Sequence, residues 1–350
     1  MTMGTHKYLR LFASLLTLYW AGSGMAQETS RDQVGLVVPA FIADGPVGES
    51  VAYLIKLSVQ GELSSEDPVT KKRGYGRGIS YFVPAAMRTH SHEEAARLAR
   101  LNGLQGTVWG YATELPDGVA IQSFLSLNST YEDFRVTRNE LWQWEGRGAT
   151  LVLGPPQQNV GFRSETLTND LVKAFGSPSD LDFCPIDGGA CVQFDDYQVA
   201  RAFGRTDTGA IVRRGGVDYF LDFPDSGLAR SEVIDYAGIF IAYARGNLNQ
   251  VIQFADRYLE RHGPSDAAID VHLYRAAARA RLGQVEAARG DIDAALELNP
   301  VSRRSLRYGI MVELAAVGKP NERSESYFQM LARTYGLSSE FDRRYASLDR

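Results

Sequence analysis

Apolar runs and amphipathic stretches follow one another in the first third of the chain. Val34–Phe41 and Ile79–Val83 are almost continuously apolar, which is typical of strands that are buried on both faces. Between them, Gly48–Gln60 places apolar residues at helical spacing from Val51 to Leu57. That spacing predicts a buried amphipathic helix.

A second helix and a hairpin are predicted after these elements. Residues 91–94 read Ser-His-Glu-Glu, the spacing of a capping box, and predict a helix through Leu101. Residues 107–115 and 119–127 alternate apolar and polar positions around a Pro-Asp-Gly turn, which predicts a β-hairpin. The order β-α-β-α-β-β indicates an open α/β sheet covered by helices, and we assign it to a domain at residues 33–128.

The middle of the chain is rich in glycine and predicts short elements. In a connecting segment at 129–177 we predict strands at Leu141–Glu145 and Thr150–Leu153, and a helix at Glu165–Phe175. Residues 178–226 are predicted to form a small β-rich module.

From Ser231 the sequence changes to long helical stretches with little β-branching. We predict repeated helical hairpins at 231–336 and a tail at 337–350. Gly246, Gly283 and Gly318 are 37 and 35 residues apart, the spacing expected for the bends of such hairpins. The predicted class is therefore α+β with several domains: a sheet domain, a β-rich middle and an all-α array.

The strongest repeat signal lies at residues 283–300. Ala288 and Ala295 are seven positions apart, where small residues let paired helices approach closely, and Pro300 ends the unit. This pattern resembles the second half of a tetratricopeptide repeat, whose period is about 34 residues. The outer copies depart from it, with Val251 and Tyr258 at these positions in the first and Arg323 and Met330 in the third.

The resemblance implies a concave groove lined by the first helix of each hairpin. Aromatic and arginine side chains in it would anchor a protein or peptide, whereas the simpler interpretation is that helical aromatic residues form core. When the repeat of the family is aligned to this sequence, its groove positions correspond to Tyr236, Phe240 and Tyr243 in the first copy, Leu273, Ala277 and Arg281 in the second, and Tyr308 in the third.

Two further resemblances concern the other segments. Residues 106–110, Gly-Thr-Val-Trp-Gly, follow a helix and open a hairpin, and in this the first domain resembles the N-terminal domain of TolB and CsgG-type secretion proteins. Residues 209–221 resemble the last hairpin of bacterial SH3-like modules, and an ordinary hairpin is the alternative. An SH3-like module would hold cell-wall polymer near Arg213, Tyr219 and Phe220.

The first 26 residues have the order of a secretory signal peptide. Lys7 and Arg10 precede the apolar run Leu11–Trp20, and small residues at 24 and 26 precede Gln27. The apolar run is shorter than a bilayer-spanning helix, although an uncleaved anchor is the alternative. We therefore expect export to the periplasm, cleavage after Ala26 and no membrane span in the mature chain.

Net charge indicates the kind of partner, and cysteine usage indicates the cellular compartment. The net charge is −5, and removal of a leader with two basic residues and no acid leaves −7, which argues against a nucleic-acid binder. The two cysteines, Cys184 and Cys191, flank an Asp-Gly-Gly turn. In an oxidising compartment such a pair predicts a disulfide, and the spacing is not that of a redox motif or metal site.

No residue pattern commits the chain to a reaction. His90 and His92 are two residues apart beside acids, but too few ligands surround them to predict a metal site. The run Lys71–Gly78 is basic and flexible without nucleotide-loop order, so a solvated loop is favoured over an anion contact. Adjacent acids at Asp195 and Asp196 do not form a glycosidase pair. We predict no cofactor and no enzyme activity.

These observations favour a non-catalytic periplasmic adaptor or scaffold. Its groove would bind a protein or peptide of the cell envelope. One alternative is a protein that binds cell-wall glycan, or is associated with an envelope enzyme, through the β-rich module. Another is a component of secretion or pilus assembly.

Overall fold

The computed structural model describes residues 35–45, 47–64, 81–83, 88–128, 142–146, 149–168, 182–193, 201–205, 209–214, 216–222 and 231–348. Val34–Arg350 forms one compact unit. The described part combines helices and sheets and ends in a helical array, so the α+β class is confirmed at this level.

The helices and strands of the described residues have the following bounds. The helices are α1 Val47–Ser64, α2 His92–Leu101, α3 Glu232–Ala244, α4 Leu248–His262, α5 Asp266–Arg281, α6 Val285–Leu298, α7 Arg303–Val317, α8 Glu322–Tyr335 and α9 Glu340–Ala346. The strands are β1 Leu36–Pro39, β2 Tyr81–Val83, β3 Gly106–Leu115, β4 Gly118–Leu127, β5 Trp142–Gly146, β6 Ala149–Leu153, β7 Asn159–Gly161, β8 Glu165–Thr168, β9 Asp182–Pro185, β10 Val192–Gln193, β11 Arg201–Arg205, β12 Gly209–Arg214 and β13 Val217–Asp222.

The first sheet has the order β2-β1-β3-β4-β7, and β8 also pairs with β4. β1 is parallel to β2 and β3, whereas β3 and β4 form the predicted antiparallel hairpin. The predicted order of strands and helices is thus confirmed for the described residues between 35 and 127.

Helices cover the two faces of this sheet differently. α1 packs on the inner face and contributes to the main core. α2 covers one end of the other face, where Thr107 donates a hydrogen bond to the Ala95 carbonyl at 2.7 Å. Ser91 caps α2 as predicted, but Glu94 accepts a hydrogen bond from His90 N–H rather than from the capping residue.

The segment after β4 follows the prediction in part. β5 and β6 form a hairpin close to the two predicted strands. The helix predicted from Glu165 is wrong at its start, because residues 165–168 form β8 against β4. Here Thr166 is exposed and Leu167 is buried, the alternation of a strand at a sheet edge. Residues 169–175 lie outside the described part.

The second sheet has the order β10-β9-β13-β12-β11, with antiparallel neighbours. A disulfide joins Cys184 on β9 to Cys191, as predicted. The sheet packs through β11 and β12 on α1.

The C-terminal array contains three helical hairpins. Their first helices, α3, α5 and α7, begin at residues 232, 266 and 303, which are 34 and 37 residues apart. Gly246, Gly283 and Gly318 have φ angles of 72°, 77° and 73°, the left-handed conformation that glycine adopts without strain at a helix end. Ala288 and Ala295 of α6 are fully buried, as expected for close helix packing.

One hydrophobic core connects the sheets to the array. It includes Val51 of α1, Ile121 of β4, Phe183 of β9 and Tyr236 of α3. The segments predicted as separate domains therefore share their core.

Candidate functional site

The structure places six of the seven predicted groove residues in the core. Tyr236, Phe240 and Tyr243 on α3, Leu273 and Ala277 on α5, and Tyr308 on α7 are all buried. Arg281 is exposed, and its guanidinium lies 5.8 Å from the ring centre of Tyr243.

The chain itself covers the face that these residues form. The segment Gly154–Glu165, which we call the strap, extends from the β5–β6 hairpin to β8. At its first end, the Tyr308 hydroxyl donates a hydrogen bond to the Gly154 carbonyl at 2.8 Å. The ring of Trp142 in the adjoining hairpin lies 5.8 Å from that of Tyr308. An aromatic residue predicted to meet a partner therefore contacts the same chain.

The other end of the strap is fixed to the first hairpin. The Phe162 ring centre lies 5.4 Å from that of Tyr236. The Arg163 backbone N–H donates to the Glu232 carboxylate at 3.1 Å, and the Glu232 N–H donates to Glu165 at 2.7 Å. Burial raises the pKa of Glu165, although the hydrogen bond from the Glu232 backbone opposes this.

The prediction of an open groove is therefore wrong for this conformation. All thirteen residues of α3 are buried, and a helix that is buried on every side cannot present a free face. The register carried over from the repeat family selects positions on one face of the array, and six of these seven residues are buried. It could not indicate that the sheets and the strap of this chain occupy that face.

A buried carboxylate links the inner face to the strap. Asp270 on α5 lies 2.9 Å from Arg304 Nε and accepts a hydrogen bond from the Tyr236 hydroxyl at 3.3 Å. Burial raises the pKa of Asp270 to about 7, and the Arg304 charge opposes that shift. Arg304 also donates to Gln157 of the strap. The carboxylate thus positions an arginine that holds the strap.

Another buried carboxylate joins the two helices of the second hairpin, and an acid of the first hairpin contacts the same arginines. Asp291 on α6 accepts hydrogen bonds from Arg275 at 2.6 Å and from Arg279 at 2.9 Å, both on α5. Asp256 on α4 contacts the same two arginines at 2.5 and 3.7 Å. The Asp291 side chain is 2% exposed and the Asp256 side chain 52% exposed. One acid is therefore desolvated and the other is in water.

A similar group connects the second and third hairpins. Glu313 on α7 accepts two hydrogen bonds from Arg289, at 2.8 and 2.6 Å, and one from Asn321 at 2.8 Å. Burial alone would raise the pKa of Glu313, but these donors outweigh it and the pKa is lowered. A carboxylate held ionised by fixed donors suits a structural role rather than proton transfer.

Ser126 and His92 have the spacing of a catalytic pair. Ser126 Oγ lies 2.8 Å from His92 Nδ1 and also accepts a hydrogen bond from Trp109 Nε1–H at 2.9 Å. A serine hydroxyl within hydrogen-bond distance of an imidazole nitrogen is the arrangement of a nucleophile and its base. However, Ser126 is fully buried, so no substrate atom can reach its oxygen. The pair joins α2 to the sheet.

The predicted alternative site in the β-rich module is not a single cleft. Tyr219 and Phe220 are neighbours on β13 and point to opposite faces of the strand. Tyr219 pairs with the buried Val212 and packs on the main core. Arg213 on β12 is paired with Asp218 on β13. The two aromatic residues cannot line one binding surface together.

Other candidates are placed as follows. His90 is exposed, and among the described residues no group of three His, Cys, Asp or Glu side chains could hold a metal ion. The signal peptide, Lys71–Gly78 and Asp195–Asp196 lie outside the described residues. No helix within the described ranges is long and apolar enough to cross a bilayer.

Comparisons with protein-family models, with curated proteins and with solved structures give no significant match.

Proposed function

We propose that the chain is a non-catalytic adaptor or scaffold of the bacterial envelope, built on tetratricopeptide-like hairpins. The tandem array of three hairpins, with glycine at each bend and Ala288 and Ala295 between paired helices, carries this proposal. Repeated helical hairpins form extended surfaces suited to protein binding. The buried acids of the array are held by arginines and hydroxyls, which supports a structural use of these groups.

The binding surface we propose differs from the groove predicted by register. Because the sheets and the strap cover the first helices, the accessible side of the array consists of the second helices, α4, α6 and α8. Glu260, Glu297 and Thr334 occupy equivalent positions on these three helices, 37 residues apart, and all are exposed. A protein partner would contact this row of positions.

Site-specific photo-crosslinking in the native envelope tests this proposal. A photoreactive residue at 260, 297 or 334 should crosslink to one discrete protein, whereas the same residue at Asp187, which is exposed outside the array, should not. Charge reversal of Glu297 on the purified chain should then weaken binding of that protein. Crosslinks from position 187 alone, or none from the array positions, would contradict the proposal.

Export is part of the proposal and has its own test. The Lys-Arg, apolar and small-residue order of residues 1–26 and the Cys184–Cys191 disulfide support it. The mature protein should begin at Gln27 and fractionate with periplasmic proteins. Recovery of the intact N-terminus from the cytoplasm would refute it.

A further inference from the structure

One side of the first sheet carries an aromatic cluster that the array does not use. We call this side the outer face; it faces away from α1 and extends beyond the part that α2 covers. The strand register places its members opposite one another: Trp109 opposite Phe124, Tyr111 opposite Gln122, Thr113 opposite Ala120, and Ala120 opposite Thr166 of β8. Paired residues lie on the same face of a sheet.

The aromatic rings of the outer face pack against one another. Trp109 stacks on Phe124 with ring centres 4.6 Å apart and planes at 23°. Tyr111 stands against both rings, at 6.1 and 6.3 Å, and His92 does so from α2 at 5.3 and 5.5 Å. Trp109 is only 3% exposed, whereas Tyr111 is 39% exposed. The inner rings thus hold the outer ring in a fixed place at the surface.

Fixed polar groups lie beside the rings. The Gln122 amide nitrogen donates to the Phe162 carbonyl at 2.5 Å, and its oxygen accepts a hydrogen bond from Ser164 Oγ at 2.5 Å. The Gln122 side chain is therefore held in one orientation next to Tyr111. Thr113 and Thr166 are exposed on the same face and add hydroxyl groups that can donate and accept.

Among the described residues of β3, β4 and β8, the outer face carries no charged side chain, in a chain of which 23% is charged. The nearest acids on these strands point to the other side. Glu165 pairs with the buried Ile121 and accepts the Glu232 N–H, and Glu114 follows the inward-facing Ala112 by two residues. Strand alternation therefore separates the acids from the aromatic and hydroxyl groups.

We propose that the outer face binds a neutral glycan chain, with a sugar ring against Tyr111 and its hydroxyls on Gln122, Thr113 and Thr166. A sugar ring has apolar C–H faces and a rim of hydroxyls, which match an exposed aromatic edge beside amide and hydroxyl groups. An anionic polymer would need lysine or arginine on this face. A protein partner would need more exposed apolar surface than Tyr111 and Leu115 provide, because the other rings are already packed.

The test uses the purified full-length mature chain and defined neutral oligosaccharides. Chitohexaose, cellohexaose and maltoheptaose are titrated while tryptophan fluorescence is followed, because Trp109 contacts the proposed binding ring. Polygalacturonate serves as the anionic comparison. At least one neutral oligosaccharide should bind, and polygalacturonate should not.

Variants locate the binding on the outer face. Tyr111→Ala and Gln122→Ala should each weaken binding roughly tenfold, and Tyr111→Phe should retain most of it. Phe220→Ala, in the β-rich module, is the matched control and should leave binding unchanged. Thermal unfolding of every variant checks that the fold is intact.

Three outcomes would overturn the proposal: no neutral oligosaccharide binds, binding survives both outer-face substitutions, or Phe220→Ala abolishes it. A dimer in solution that Tyr111→Arg dissociates would also overturn it, since the face would then join two copies of the chain. These results are independent of crosslinking at positions 260, 297 and 334, so the adaptor proposal and the glycan proposal can fail separately.

Discussion

Two aspartates that contact the same pair of arginines should contribute very differently to stability. Asp291 is 2% exposed and bridges Arg275 and Arg279, whereas Asp256 reaches the same guanidiniums from the surface at 52% exposure. Removal of a fully buried acid from such a group costs about 3–5 kcal/mol, because partner charges stay desolvated and unpaired. The side chains of Arg275 and Arg279 are 15% and 20% exposed, so water can solvate them in part. We therefore expect Asp291→Ala to lower the free energy of unfolding by about 2–4 kcal/mol.

For Asp256→Ala the expected loss is about 0.2–1 kcal/mol, since water screens an exposed pair and replaces it readily. Urea unfolding followed by circular dichroism measures both variants against the unmodified chain. Repeating the series in about 1 M NaCl should remove the Asp256 effect and leave most of the Asp291 effect, because salt screens exposed charges more than buried ones. Equal losses for the two variants, or a loss at Asp291 that salt abolishes, would refute the reasoning.

Four further variants test packing, titration and the disulfide. Gly309→Ala should destabilise the fold by about 1–3 kcal/mol, because a Cβ there would lie 2.8 Å from the ring of Tyr327. Gly290→Ala should stabilise it by about 0.5–1 kcal/mol, because no atom lies within 4 Å of the added Cβ and alanine favours the helix. Thermal unfolding measures both variants. Burial lowers the pKa of His92 below 6.5. Its contribution to the free energy of unfolding is therefore complete above about pH 6.5 and is lost as pH falls towards the pKa of the folded state. Urea unfolding from about pH 8 to 5 should show this additional loss of stability in the unmodified chain and not in His92→Gln. Replacing Cys184 and Cys191 together by serine should lower the free energy of unfolding by about 2.5 kcal/mol, because the disulfide closes a short loop. Identical urea-unfolding midpoints with and without the disulfide would contradict that value.

Local elements could be predicted from the sequence where the pattern and the turn chemistry agree. The β3–β4 hairpin combines alternation with a Pro-Asp-Gly turn, and α2 has a serine cap three residues before a glutamate. The array hairpins have glycine at each bend. In each case, residues close in the sequence determine the structure, so one window of the chain contains the information.

Long-range features could not be predicted in the same way. β8 starts at Glu165 and pairs with Ile121, 44 residues earlier, so a local helical pattern there was misleading. Burial of Tyr236 on α3 and of Tyr308 on α7 depends on contacts with residues about 75 to 150 positions away, Phe162 and Gly154 respectively. A signal was nevertheless present: after its first turn, α3 is apolar around its whole circumference from Tyr236 to Ala244, which is typical of a helix buried on all sides.

The outer face shows the same limit for the site. Its residues come from β3, β4 and β8, and only the strand register brings Tyr111, Gln122 and Thr166 to one surface. The sequence predicted the β3–β4 hairpin with Pro-Asp-Gly between its strands, whereas the observed pairing begins at Leu115 with Gly118. Strand alternation already placed Trp109 and Tyr111 on one side. The absence of charge on that side becomes visible only when β8 is added to the sheet.

The shared core determines how the two proposed surfaces relate to each other. The inner face of the sheet packs towards α3 through β4 and the strap, so the outer face must point away from the array. The second helices expose Glu260, Glu297 and Thr334 on the side of the array that the sheets leave free. Because the hairpins and the sheet share one core, deletion of residues 231–336 would unfold both, and only surface substitutions can separate their roles. A rigid unit with a protein surface on one side and a glycan surface on the other would hold its two partners at a fixed distance, which is the mechanical requirement of a scaffold.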